Sequence, residues 1–279
     1  MSMLPTLNLI GAGRVGRTLA RLWHTQGVLQ VQDVLTTSIA SAQDAVDFIG
    51  DGCAVADMAA MRPADLWLLA VPDRQIASSA QALAAAVTQA PRPPALAFHA
   101  SGALTSAELQ PLQALGWQTA SAHCILSFAS PASALQQFAG TPCGLEGDAA
   151  ALAQLQPLFA TIGAKGFTVA ADKKMLYHAA AVFATNFLPV LQAQAEALWR
   201  ASGVPPELLP HLRQTLLRNA VDNVLALGPA GALTGPAARG DTALVQHQAE
   251  AVAQWDATSG LAYRALSELA RRLGHKPPR

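Results

Sequence analysis

The chain is short of several things at once. Charged residues make up 13% of its 279 positions, aromatics 5%, and the only cysteines are Cys53, Cys124 and Cys143. Globular domains usually carry about a quarter charged residues. Lys and Arg number 18, as do Asp and Glu, and they form no basic block, so nothing points to nucleic acid. The cysteines show no C-x-x-C and no ligand-like spacing, so no metal site is expected, and reduced thiols in a cytoplasmic protein fit best. No apolar run reaches about 18 residues, so a membrane span is not expected. Too few residues precede the first strand for a signal peptide. What is present is a chain 52% hydrophobic and rich in alanine, long enough for one large domain or two ordinary ones.

The stretch that organises the rest comes early. Leu7-Asn8-Leu9-Ile10 reads as a buried strand, and Arg17 to Trp23 reads as helix. Between them stands Gly11-Ala12-Gly13-Arg14-Val15-Gly16. Strand, G-x-G-x-x-G, helix is the order that gives this motif a mechanism. Gly11 permits the tight turn, Gly13 lets a pyrophosphate approach the backbone, and Gly16 lets helix and strand pack closely. The unpaired N–H groups of the first helical turn then face the phosphates.

Further strands are expected at 28–38, 53–55, 64–71, 95–99 and 119–124, with helices at 40–49 and 75–89. The cluster Pro91, Pro93, Pro94 ends the second of these helices. Strands alternating with helices imply right-handed crossovers and an α/β, doubly wound parallel Rossmann sheet. From about residue 165 the strand signal stops. Asp172 to Ala201 reads as one long helix with Asp172 as N-cap, Pro189 as a kink or break and Gly203 at its end. Helices at 206–227 and 242–273 follow, joined by a Gly/Pro-rich link, and the tail His275–Arg279 is expected to fray. The division is therefore a dinucleotide-binding domain at 1–168 and a smaller all-α domain, for substrate and dimerisation, at 169–279.

An acidic residue about 20 positions past the last glycine usually holds the ribose of NAD. Here that position falls on Thr36, beside Thr37, and Asp33 stands three residues early. A hydroxyl cluster with Arg14 nearby favours a 2′-phosphate, hence NADP, with NAD as the other choice. Val71-Pro72-Asp73 and His99-Ala100-Ser101-Gly102 end strands that face the same crevice, as do His123 and Ser127. On the long helix, at about 100° per residue, Lys174 and His178 stand about 40° apart and Thr185 about 20° from His178. Asn186 is about 80° away. These polar groups either satisfy each other in a helical core or line a cleft where a carbonyl or imine needs a proton donor. Thr234–Asp241 reads as a fixed turn, with Asp241 or Thr242 capping the next helix and Arg239 open to a carboxylate or to Asp241.

Taken in order, the glycine loop, Val71-Pro72-Asp73, His99–Gly102, Tyr177–Asn186 and Thr234–Asp241 carry a resemblance. The chain resembles the bacterial Rossmann-like candidate oxidoreductases with a helical C-terminal domain of unknown function. That family is distantly similar to pyrroline-5-carboxylate reductase and the 6-phosphogluconate dehydrogenase superfamily. The chain departs from it at Ala100, where relatives often carry a small polar residue or cysteine, and at Cys124, where proline commonly stands. The resemblance implies a nucleotide-binding domain, an all-α second domain and a homodimer through the helices.

The expected function is an NAD(P)-dependent oxidoreductase, moving a hydride between a nicotinamide and a small polar carbonyl or imine. The alternatives are a dinucleotide-binding sensor without turnover and, third, a methyltransferase. The expected cofactor residues are Gly11, Ala12, Gly13, Arg14, Val15, Gly16, Thr36, Thr37, Val71, Pro72, Asp73 and His99. The expected catalytic residues are His178, Lys174, Asn186 and Ser101.

Overall fold

The structure is a computed structural model that describes residues 4–90 and 92–274. The expectations for Pro91 and for His275–Arg279 fall outside those residues. The chain divides into two compact units, one ending at Thr185 and one beginning at Asn186. The first unit therefore keeps residues 169–185, which the sequence division gave to the helical domain.

The first unit is built on one eight-stranded sheet. Its strands are β1 (Thr6–Ile10), β2 (Gln30–Leu35), β3 (Cys53–Val55), β4 (Leu66–Leu69), β5 (Leu96–His99), β6 (Gln118–Cys124), β7 (Pro142–Gly147) and β8 (Lys165–Thr168). Their spatial order is β3-β2-β1-β4-β5-β6-β7-β8. The parallel run through β6 has the strand order of two mononucleotide-binding halves. The helices are α1 (Arg14–Thr25), α2 (Ile39–Ile49), α3 (Asp73–Gln89), α4 (Gln110–Gln113), α5 (Pro131–Gln137), α6 (Ala149–Thr161) and α7 (Lys174–Ala181).

The parallel sheet expected through residue 124 is present, and two strands not expected from sequence extend its far end. β7 runs antiparallel to β6, with Ser121 opposite Glu146 and Cys124 opposite Cys143, and β8 then pairs parallel to β7. Proline and glycine are depleted in strands, and Pro142-Cys143-Gly144-Leu145-Glu146-Gly147 carries one proline and two glycines within six residues. That composition hid it.

Both faces of the sheet are covered, which is why its strands read as near-continuous apolar runs. On one face Leu7, Leu9, Leu68 and Phe98 pack with Trp23 and Phe159. Trp23 meets both phenylalanine rings edge-on and donates its Nε1–H to the Leu158 carbonyl at 2.9 Å. On the other face Ile10, Trp67, Leu69 and Ala97 pack with Ile76, Leu83 and Trp117. Each fully buried side chain of this size contributes about 1.5–3 kcal/mol.

The long helix expected from Asp172 is not continuous. Ala171–Lys173 is a 3-10 turn, α7 follows, and Val182–Asn186 is a π turn before α8 (Phe187–Ala201). Pro189 has no N–H for the carbonyl four residues back, and the ladder loosens just ahead of it. Asp172 caps nothing by side chain and instead pairs with Lys173 at 2.8 Å. Beyond it come α9 (Leu209–Ala232), bent at Gly228 with φ 70°, and α10 (Pro236–Arg239). Then α11 (Thr242–Trp255) and α12 (Ala257–Gly274) replace the single helix expected there. Asp256 divides them, extended at φ −153°, and accepts the Ser259 N–H at 2.7 Å. Asp241 caps α11 by accepting the Leu244 N–H at 3.1 Å. Among the described residues no helix is long and apolar enough to cross a membrane.

Candidate active site

The three motif glycines stand in three different surroundings. Gly11, at φ +80°, has no room for a side chain: an added Cβ would fall 2.7 Å from Val71 Cγ1 and 2.8 Å from the Ala70 carbonyl. At Gly16 the same atom would fall 2.8 Å from Ala70 Cβ, so helix and sheet touch there. At Gly13 it would meet nothing within 4 Å. The first and third glycines serve the turn and the packing, while the second leaves backbone open at the N-terminus of α1. That distribution suits a phosphate resting on the loop.

The loop opens on a cavity of about 470 Å³, lined by Gly11, Ala12, Gly13, Arg17, Thr36, Thr37, Ser41, Val71 and Pro72 among others. Its cation is Arg17, which sequence reasoning passed over. Arg17 donates to the Ala12 carbonyl at 2.9 Å and to Asp44 at 2.8 Å. Arg14, the expected cation, is exposed and reaches the Phe128 carbonyl at 3.4 Å instead. It sits at the start of α1, and its side chain leaves the turn on the β6–α5 side. Asp33 is buried and held by Arg62, with contacts from Nη2 at 2.7 Å and from the Arg62 amide at 2.6 Å. Among the described residues, no free carboxylate therefore stands at the end of β2. Thr36 directs its hydroxyl to the Ser38 carbonyl at 2.8 Å.

A second polar group forms beneath α7, from the turn after β5 and from the paired strands β6 and β7. Positions 174, 177 and 178 share one helix face, and all three side chains reach the sheet. Lys174, 1% exposed, donates to the Ser101 carbonyl at 3.0 Å and to Ser121 Oγ at 2.5 Å. Ser121 passes its own proton to Glu146 at 2.9 Å, and Glu146 also accepts the Ser106 amide and hydroxyl, each at 2.8 Å. The chain of donors thus runs from Lys174 through Ser121 to Glu146. Burial lowers Lys174 to about 8, against the pull of the Glu146 and Asp73 charges.

Tyr177 lies with its hydroxyl 2.9 Å from His123 Nδ1 and donates to the His123 carbonyl at 3.3 Å. Burial lowers His123 to about 4, with His178 and Lys174 adding to the effect, so it is neutral at physiological pH. Burial likewise raises Tyr177 to about 12. His178 is half-buried, with its ring 5.6 Å from that of His123. Both imidazoles press on Gly102: a Cβ there would fall 2.5 Å from His178 Cδ2 and 2.8 Å from His123 Cε1.

Two expected ligand residues are already committed. His99 is fully buried, with Nδ1 accepting the Ser101 amide at 3.2 Å and Nε2 donating to the Thr105 carbonyl at 2.9 Å. Burial holds it near 4 and neutral, as that double role requires. It shapes the turn and has no nitrogen left for a cofactor. Ser101 donates its hydroxyl to Asp73 at 2.9 Å and accepts the amides of Ala103 and Leu104, so it has no proton for a substrate. Val15 lies partly buried in α1 and Asp73 opens α3, where it serves Ser101. Thr185 turns its hydroxyl back to the Ala181 carbonyl at 2.9 Å. Asn186 closes the π turn and opens the second unit. Among the described residues no group of three His, Cys, Asp or Glu side chains could hold a metal ion.

Ser121, Glu146 and Tyr177 were not among the expected site residues. Tyr177 was within reach, because the 174/177/178 spacing already placed it with Lys174 and His178. Glu146 was not, since its role depends on the antiparallel register with Ser121.

Two family models match the chain: a Rossmann-like domain over residues 4–124 and a domain of unknown function, DUF2520, over residues 141–270. No curated protein matches the chain. Among solved structures, protein TM1727 from Thermotoga maritima is 28% identical, with 96% of this chain and 98% of that one covered and a TM-score of 0.74. A candidate NADP oxidoreductase, BF3122 from Bacteroides fragilis, is 22% identical with the same coverage and a TM-score of 0.74. An imine reductase from Myxococcus stipitatus, in complex with NADP+, is 18% identical, with 96% and 93% covered and a TM-score of 0.64. The last two likenesses show that this Rossmann-like and DUF2520 pair shares their fold.

Proposed function

We propose that the chain is an NAD(P)-dependent oxidoreductase acting on a small polar carbonyl or imine. The observation that carries this reading is the glycine loop, with Gly13 open while Gly11 and Gly16 are closed by packing. A structural turn alone has no need of the empty space at Gly13, and a pyrophosphate does. The loop amides and the first turn of α1 would hold that pyrophosphate, and the backbone of Val71-Pro72 lines the next part of the same cavity. When bound, a reduced nicotinamide supplies the hydride. The chain's own part is to hold, orient and protonate. His178 is the accessible titratable side chain of the polar group under α7 and is assigned as proton donor. Lys174 is too deeply buried to touch a substrate and acts as a positioning residue. The NADP-bound imine reductase and the candidate NADP oxidoreductase among the similar folds support this class of cofactor.

NADP is favoured over NAD. The end of β2 offers Thr36, Thr37, Ser41 and the Arg17 guanidinium, and the one carboxylate of that strand is consumed by Arg62. Titration with NADPH and NADH, followed by nucleotide fluorescence, tests both statements. Arg17→Ala should weaken NADPH by about 1.5–3 kcal/mol, the value of a hydrogen bond to a charged group, and leave NADH unchanged. Equal losses would remove the NADP assignment, and no binding of either nucleotide would remove the function.

The second unit points to a homodimer. Among its described residues only Leu209, Ala249 and Gly260 are buried, while Leu225 is 80% exposed and Leu227 61%. So much open apolar surface on helices calls for a second copy.

A further inference from the structure

Among the described residues, the turn after β5 holds a backbone donor with no acceptor. Ser101 N–H goes to His99 Nδ1, and the amides of Ala103 and Leu104 go to Ser101 Oγ. Gly102 N–H, between them, meets no acceptor among the described residues, although Gly102 is buried. Buried orphan N–H groups are rare in folded proteins, because each costs about the desolvation of an unmade hydrogen bond. The direction of this one is fixed. Lys174 takes the Ser101 carbonyl at 3.0 Å, and in a trans peptide the N–H of the following residue points the opposite way. Gly102 N–H is therefore turned away from the buried ammonium, at the C-terminal end of a central parallel strand, where ligands of such sheets lie. His178 stands against the same residue. The ammonium on the carbonyl also polarises this peptide and strengthens its N–H as a donor.

We propose that Gly102 N–H and His178 together receive the carbonyl oxygen of the substrate, so that the enzyme reduces C=O and not C=N. This rests on the oxidoreductase reading and narrows its substrate class. As the carbonyl carbon receives a hydride from a reduced nicotinamide, the π pair moves to oxygen and charge develops there. Gly102 N–H stabilises that charge as an oxyanion donor. Protonated His178 then delivers its proton to the oxygen, giving the alcohol, and is left neutral. An iminium presents the reverse demand. It brings a positive charge and an N–H of its own, and a fixed backbone donor repels both.

The test reads the amide directly. Protein labelled with 15N-glycine is titrated, with and without NADP+, with acetone, cyclopentanone and pyruvate as ketone probes and with pyrrolidine as the cationic nitrogen probe. A ketone should move the Gly102 resonance downfield to saturation, and pyrrolidine should leave it in place. His178→Gln should weaken the ketone response about tenfold while Gly13 still responds to NADP+. Should that variant fail to fold, the wild-type comparison decides alone. A Gly102 amide unmoved by every ketone, or moved equally by pyrrolidine, overturns the proposal. So does one moved fully by NADP+ alone, which would give the donor to the cofactor. Gly13 keeps the two readings apart. If Gly13 responds to NADP+ and Gly102 to no ketone, the cofactor reading stands and the carbonyl assignment falls. If Gly13 stays silent while Gly102 responds to ketones, the cofactor reading falls and carbonyl reduction falls with it, leaving only a ketone-binding amide.

Discussion

The sheet core of the first unit and the helices of the second treat their apolar residues in opposite ways. In the first, Trp23, Trp67, Phe98, Phe138 and Phe159 are all fully buried. In the second, Phe187, Leu216, Leu225, Trp255 and Leu261 are all exposed. Helix is abundant in both, and the contrast follows from what there is to pack against. A sheet offers two continuous faces, and each helix laid on it buries a stripe at once. Helices that pack only on helices need more partners before they close. The first unit can therefore support an ordered polar group at its strand ends, while the second has surface to spare for another copy.

The largest effect that would break this contrast lies at His178. If the chemistry belongs to the first unit, His178→Asn should lower turnover by about 10²–10⁴-fold, the range of a general acid, with NADPH affinity kept. Steady-state rates on a reduced carbonyl substrate check this. Unchanged rates would move the chemistry elsewhere. Next comes the pair Trp23→Ala and Leu225→Asp. The first should cost about 3–5 kcal/mol, measured by denaturant unfolding. The second should leave the first unit folded and turn a dimer into a monomer in light scattering. A wild-type monomer at micromolar concentration would end the argument from exposed surface.

A smaller effect tests the buried cation. Lys174 carries its charge below about 8 in the folded protein, because burial lowers it from its usual range. Charge on Lys174 polarises the Ser101–Gly102 peptide, so turnover should fall as pH rises through about 8. Lys174→Met should be slow at every pH and lose that limb. A variant that is slow but keeps the limb would show that another group titrates there.

Much of the first unit was legible because its physics is local. The order of strand, glycine loop and helix, the apolar run at Leu66–Leu69 and the breaks at Pro72 and Gly102 need no distant partner to be read. The fate of each polar side chain was not local. Arg14 and Arg17 each follow a motif glycine directly, and only the structure shows which of them faces the cavity. His99 and Ser101 read as site residues from their place at a strand end, yet each has its polar atoms committed within one tight turn. Glu146 was hidden because Pro142 and its glycines argue against a strand. In the helical half, Pro189 was recognised as a breaker, whereas Asp256 was read through as part of a helix although its side chain caps the next one.

The central claim is that Gly13 is open for a dinucleotide and for nothing structural. Replacing it with valine and measuring NADPH affinity beside thermal unfolding tests that claim directly. The backbone at Gly13 is extended at φ −69°, and a Cβ there meets no atom within 4 Å. The account predicts a folded Gly13→Val protein, with Tm within a few degrees of wild type, that no longer binds NADPH. A folded variant that binds NADPH as before would contradict it.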